Sequence, residues 1–255
     1  MSTASASAVP VDGVAEIVWA PEPGAAVRGS LVLLPGRGEP ASVYARFGRR
    51  LAADGYLVRA LDATAHPDAA SVAAAFAEIA PELPAPVVLA GSDAGALYAA
   101  GAVAGGGVGP AGLVLAGLPV GEADSVPVDW EGELAARTAC PAHRGVLTDD
   151  AAFSPGALAG ALPDEQSSLV EVLVRPDLPV LVVHGGADPL APIAEVRRLA
   201  ATSTRTTLVA VADGRHDVLN DAAHRSVAAQ IVLWLERLRG GPDPARVLTV
   251  EEWSS

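Results

Sequence analysis

Three short segments carry residue types that could do nucleophilic and acid–base chemistry. In VVLAGSDAGALYAA, residues 87–100, an apolar run ends in Gly91-Ser92-Asp93-Ala94-Gly95 and passes directly into a helical pattern. Two glycines around a polar residue suit a sharp strand-to-helix turn, since they let backbone approach closely while the middle side chain is pushed out. In LVVHGGADPL, residues 181–190, Asp188 follows a second apolar run, and in VAVADGRHDVLND, residues 209–221, His216 follows a third. A carboxylate at the first turn would be a nucleophile that needs no deprotonation. The histidine would then serve as general base for a water, with the second carboxylate orienting its ring. The competing reading of Asp93 is a helix N-cap; the flanking glycines favour the turn. Ser92 stands one position early, where such a turn aims it sideways.

These residues need elements to hold them. The sequence predicts strands over 14–19, 29–35, 56–61, 86–90, 113–116, 180–184 and 208–212. Helical spacing is expected over 42–53, 71–80, 95–104, 193–201 and 222–239, with Asp54-Gly55 stopping the first of these. Strands of four to seven apolar residues alternating with helices imply a mostly parallel sheet covered on both faces. That is an α/β fold with its chemistry at the carboxyl ends of the strands. Residues 118–178 break the rhythm and are expected to form a short lid insertion between the core segments 1–117 and 179–255, with helices over 130–137 and 155–161. The start of the chain reads as a polar, small-residue tail, and the stretch after Gly240-Gly241-Pro242 as a loosely attached extension.

Composition excludes several classes. The chain has 255 residues, 51% hydrophobic, with a formal charge of −13. All 17 basic residues are arginine, so lysine-dependent chemistry is excluded. No basic run points to nucleic acid. No apolar stretch reaches the roughly 18 residues of a membrane span, and the N-terminus lacks a secretion signal. A cytoplasmic protein acting on a small molecule, with no metal and no cofactor, is the expectation; oligomeric state is left open. The single cysteine, Cys140, has no base or helix start apparent beside it and reads as a small buried hydrophobe.

The order of nucleophile position, acid and histidine resembles that of the α/β-hydrolase superfamily over nearly the whole chain. LLPGRGEPASVYARFGRRLAADGYLVRALDATAH, HGGADPL and GRHDVLND are similar to motifs of its monoacylglycerol lipases and lysophospholipase-like hydrolases. Two departures stand out. Aspartate occupies the elbow where that branch has serine, and Pro35-Gly36 stands where it has His-Gly. An elbow aspartate resembles the haloalkane dehalogenases and epoxide hydrolases, in which a covalent aspartyl ester forms and is hydrolysed. The resemblance thus implies an Asp93–His216–Asp188 triad acting on an epoxide, an alkyl halide or an activated ester or lactone. It also implies an oxyanion hole from the backbone N–H groups of Arg37 and Ala94. The Arg37 guanidinium is expected in solvent, or against a substrate carboxylate or leaving group. Trp130, His143 and Arg144 in the insertion are candidate substrate contacts. Two other classes stay open: an acid–base lyase or cyclase, and a catalytically silent binding protein on the same scaffold.

Overall fold

The computed structural model describes residues 6–11, 14–62, 65–175, 177–203 and 205–241. The expected C-terminal extension beyond Gly241, and residues 1–5 of the expected N-terminal tail, lie outside them.

Apolar runs become eight strands: β1 (Ala6–Val11), β2 (Val14–Trp19), β3 (Gly29–Leu34), β4 (Tyr56–Ala60), β5 (Val87–Ser92), β6 (Leu113–Ala116), β7 (Val180–Gly185) and β8 (Thr206–Val211). They form one sheet in the order β1-β2-β4-β3-β5-β6-β7-β8. From β4 to β8 every pairing is parallel, while β1 and β2 add an antiparallel edge. The central strands β3, β6 and β7 are buried at every position, which is why they read as continuous apolar runs without alternation. β1 corrects the expectation of a tail through residues 6–11. Its pairing is supplied by β2, and the presence of Pro10 suits an edge position.

Among the described residues there are eight α-helices: α1 (Ala45–Ala53), α2 (Ala69–Ile79), α3 (Ala94–Ala104), α4 (Trp130–Arg137), α5 (Pro141–Asp149), α6 (Gln166–Leu173), α7 (Ile193–Ala200) and α8 (His224–Arg239). One buried cluster joins α1 and α8 to one face through Phe47, Leu51, Ile231 and Trp234. A second joins α2, α3, α6 and α7 to the other through Phe76, Leu97, Leu169 and Val196.

The insertion differs from its expected form in three places. Residues 155–161 give only a 3₁₀ turn, Ala157–Ala159, preceded by Gly156 in a left-handed conformation. Conversely α5 and α6 were not apparent in the sequence. α5 starts at Pro141, a residue suited to the first helical position, and buries only His143 and Leu147. Two buried positions give too little periodicity to distinguish a helix from a loop.

Candidate active site

The carboxyl ends of β5, β7 and β8 deliver the three expected residues to one place. β5 runs into Asp93 and α3 begins at Ala94. Asp93 has φ 51° and ψ −123°, the one positive φ outside glycine among the described residues. Its side chain makes no capping bond to α3, so the N-cap reading fails. Close approach explains the glycines: a Cβ on Gly91 would lie 2.1 Å from the Gly95 carbonyl oxygen, and one on Gly95 would lie 2.4 Å from that of Leu34. Holding a non-glycine residue in such a conformation costs on the order of 1–3 kcal/mol, and the surrounding packing must impose it.

His216 Nε2 lies 3.1 Å from Asp93 Oδ1, and its Nδ1 lies 2.8 Å from Asp188 Oδ2. The other Asp188 oxygen accepts from the backbone N–H groups of Leu190 and Ala191 at 2.9 and 3.2 Å. His184, at the end of β7, adds a contact that the sequence did not suggest. Its Nδ1 accepts from the Leu118 N–H at 3.2 Å, so its proton sits on Nε2, which faces the Ala191 carbonyl at 2.8 Å and Asp188 Oδ2 at 3.3 Å. Asp93, Asp188, His184 and His216 are all buried.

Arg37 corrects its expected place in solvent. Its Nε donates to Asp93 Oδ2 at 2.8 Å, its Nη2 to Oδ1 at 2.9 Å and its backbone N–H to Oδ2 at 2.9 Å. With His216, these give the carboxylate four hydrogen bonds, two to each oxygen, about its full acceptor capacity. Arg37 Nη1 also donates to the carbonyls of Leu158 and Gly160, at 3.1 and 2.9 Å, tying the insertion to the site. A cleft of about 260 Å³ lies beyond the guanidinium, lined by Arg37, Pro119, Val126, Leu158, Leu162 and Leu190 among others.

Burial pushes the Asp93 carboxyl up, but His216 and then Arg37 reverse that and hold it far below the usual carboxylate range. Burial likewise disfavours the charged imidazole of His216, yet Asp188 and Asp93 raise it to about 10. The resting site is therefore an imidazolium between two carboxylates, with the guanidinium closing the charge balance. A group whose pKa is raised in the folded state stabilises that state most below its unfolded value, here about 6.5. That contribution is lost as pH rises through about 10. Urea unfolding is accordingly expected to show a stability loss between pH 6.5 and 10. Asp93→Asn should lessen this loss by removing one of the charges that raise His216; an unchanged pH profile would contradict the assignment.

Ser92 is 1% exposed, and its hydroxyl interacts with that of Tyr44 rather than with His216. Serine-directed phosphonate probes are expected to leave the protein unlabelled, whereas Asp93→Ser places a serine within reach of His216 and should gain the label. Stoichiometric reaction at Ser92 in the unaltered chain would contradict this register.

No family model and no curated protein matches the sequence. Solved structures do match in shape. A monoacylglycerol lipase from Paleococcus ferrophilus superposes with a TM-score of 0.71 at 17% identity, covering 87% of this chain and 98% of its own. A soluble variant of the monoglyceride lipase from Saccharomyces cerevisiae gives 0.73 at 16%, covering 93% and 96%. The esterase RhEst1 from Rhodococcus sp. ECU1013 gives 0.64 at 20%, covering 93% and 100%. The fold is that of the α/β-hydrolases. At these identities the likeness concerns the fold alone.

Of the insertion residues expected to meet substrate, none lines the cleft beside Arg37. His143 is 2% exposed, with Nε2 held 2.6 Å from Asp217 Oδ2, so it faces inward; its pKa is raised, Asp217 outweighing burial. Arg144 bonds Glu131 Oε1 at 2.7 Å and the Thr138 carbonyl at 3.2 Å. Trp130 packs on Phe153, ring centroids 5.4 Å apart, beside a separate cleft of about 270 Å³. Ala94 follows the turn as the buried first residue of α3. Cys140 is buried as expected, but its surroundings are not those expected. It is the N-cap residue of α5 and accepts from Arg46 Nη1 at 3.3 Å.

Buried charges beneath the site leave no clear signature in the sequence. Arg137, Glu39 and Glu133 are each under 5% exposed. Glu133 and Arg137 are spaced i, i+4 on α4, a spacing that signals an ion pair but not its burial. No helix among the described residues is long and apolar enough to cross a membrane. Among those residues no group of three or more His, Cys, Asp or Glu is placed to hold a metal ion.

Proposed function

We propose that the protein is a hydrolase in which Asp93 attacks a substrate carbon to form an aspartyl ester, which water then cleaves with His216 as base. The observation that carries this reading is the strained Asp93 turn, which presents a non-capping carboxylate 3.1 Å from a histidine already oriented by Asp188. In the first step Asp93 forms a C–O bond as the bond to the leaving group breaks, or as an epoxide C–O bond opens. Esterification removes the Asp93 charge, one of the causes holding His216 protonated. The imidazole then gives up its proton, which balances the departing halide or alkoxide. In the second step neutral His216 takes a proton from water as the water attacks the ester carbonyl. Asp93 does not itself line the cleft beside Arg37; once the Arg37 side chain moves, the Pro119, Val126, Leu158, Leu162 and Leu190 lining suits a small, largely apolar electrophile.

One observation favours a second reading, a catalytically silent scaffold. Arg37 and His216 together give Asp93 four hydrogen bonds, two to each oxygen, so attack requires one of these bonds to yield first. Incubation with a panel of epoxides, alkyl halides and lactones, followed by intact-mass and peptide analysis, separates the two. The hydrolase reading expects one reagent class to give turnover or a transient adduct on the peptide holding Asp93. The silent reading expects neither.

A further inference from the structure

α4 belongs to the insertion, yet its last turn is bonded to both loops that flank Asp93. The carbonyls of Ala136 and Arg137 accept from the backbone N–H groups of His216 and Asp217, at 3.1 and 2.9 Å. The Arg137 side chain reaches the opposite loop. Its Nη2 donates to the Arg37 carbonyl at 2.7 Å, and its Nη1 to Glu39 Oε1 at 2.5 Å. The other Glu39 oxygen accepts from the Gly36 N–H at 3.2 Å and from the Tyr44 hydroxyl. Glu133, one turn back on α4, accepts from Arg137 Nε and Nη2 at 3.1 and 2.7 Å, and the Phe153 ring packs 5.0 Å from the guanidinium.

Stability alone is a poor explanation for this network. Burying such charges costs several kcal/mol per ion, and apolar residues of similar volume often serve as well. A guanidinium offers instead a planar fork with donors at fixed angles. Here the fork holds Gly36 and Arg37 from below, through Glu39 and the Arg37 carbonyl. The same residue's main chain holds the loop of His216. The Arg37 N–H meets Asp93 Oδ2, and His216 meets Oδ1.

We propose that Arg137 is a positioning residue: together with the Ala136 carbonyl it ties the Arg37 loop to the His216 loop and sets the separation of the two groups that grip Asp93. The proposal rests on Asp93 and His216 being the working pair, but its test reads geometry rather than turnover. Arg137→Lys keeps the charge and loses the fork. In the full-length protein, ¹⁵N NMR titration of the His216 ring is expected to show its midpoint fall by roughly one pH unit or more as His216 and Asp93 part. Asp188, on the ring's other side, keeps the midpoint above that of free histidine. A residue needed only for packing would lower the melting temperature and leave the midpoint unmoved, and that result overturns the proposal.

If the lysine variant does not fold, native-state hydrogen exchange on the unaltered chain decides. The amides of Arg37, His216, Asp217 and α4 are expected to open as one unit with a common free energy. Separate opening of the two loops overturns the proposal. Failure of Asp93 to take an adduct would count against the proposed function and leave these measurements standing.

Discussion

With His216 replaced by glutamine, the protein is expected to be trapped as its ester: one substrate equivalent bound to the peptide holding Asp93 and persisting after excess reagent is removed. The carboxylate attacks without help from a base, so formation of the ester survives the change. Its hydrolysis needs a base 3.1 Å from the Asp93 carboxylate, and losing that base should slow the second step roughly 10²–10⁴-fold. Turnover would then fall by that factor while the adduct rises to one per chain, measured by quench and intact mass. Loss of turnover with no trapped species would favour acid–base chemistry over a covalent route.

The second large effect concerns Arg37. Its side chain gives Asp93 two charge-assisted hydrogen bonds, at 2.8 and 2.9 Å, one to each oxygen, so an attacking oxygen gives up one of them. Each such bond contributes about 1.5–3 kcal/mol, so a single one retained at rest and lost on attack slows alkylation roughly tenfold or more. Arg37→Met keeps the backbone N–H and removes the clamp. Alkylation of Asp93 by a reactive epoxide is expected to rise at least about tenfold on that arithmetic. The bonds to Leu158 and Gly160 go as well, so the segment around the 3₁₀ turn should exchange its amides faster. A fall in alkylation would show instead that the guanidinium assists the attack.

Much of the fold was legible because its signals are local. The buried strands β3, β6 and β7 each stand out as an apolar run, and α4 falls at its expected bounds because Asp129 caps a short amphipathic stretch. The grouping of Asp93, Asp188 and His216 followed from strand ends and from their order in a resembling family. The partners of these residues were not legible. Nothing in Gly36-Arg37-Gly38 tells that the arginine turns inward onto a carboxylate 56 residues away. Nor does α4 reveal that Arg137 is buried against Glu39, 98 residues distant. Long charged side chains normally keep their heads in water, and only the folded chain shows where a buried partner overrides that rule. Nor does the sequence around His143 show that Asp217 draws the ring inward.

If Asp93 is the nucleophile, the path of oxygen through the reaction is fixed. A single turnover would be run in H₂¹⁸O with enzyme in excess, on an epoxide or alkyl halide found in the screen. Attack by Asp93 on carbon puts one of its own oxygens into the ester C–O bond. Water then enters at the carboxyl carbon, and that original oxygen departs with the product alcohol. The product of the first turnover is expected to be unlabelled, with ¹⁸O in the peptide that holds Asp93. Product labelled at once beside an unlabelled peptide would mean that water attacks the substrate directly, and would contradict a nucleophilic Asp93.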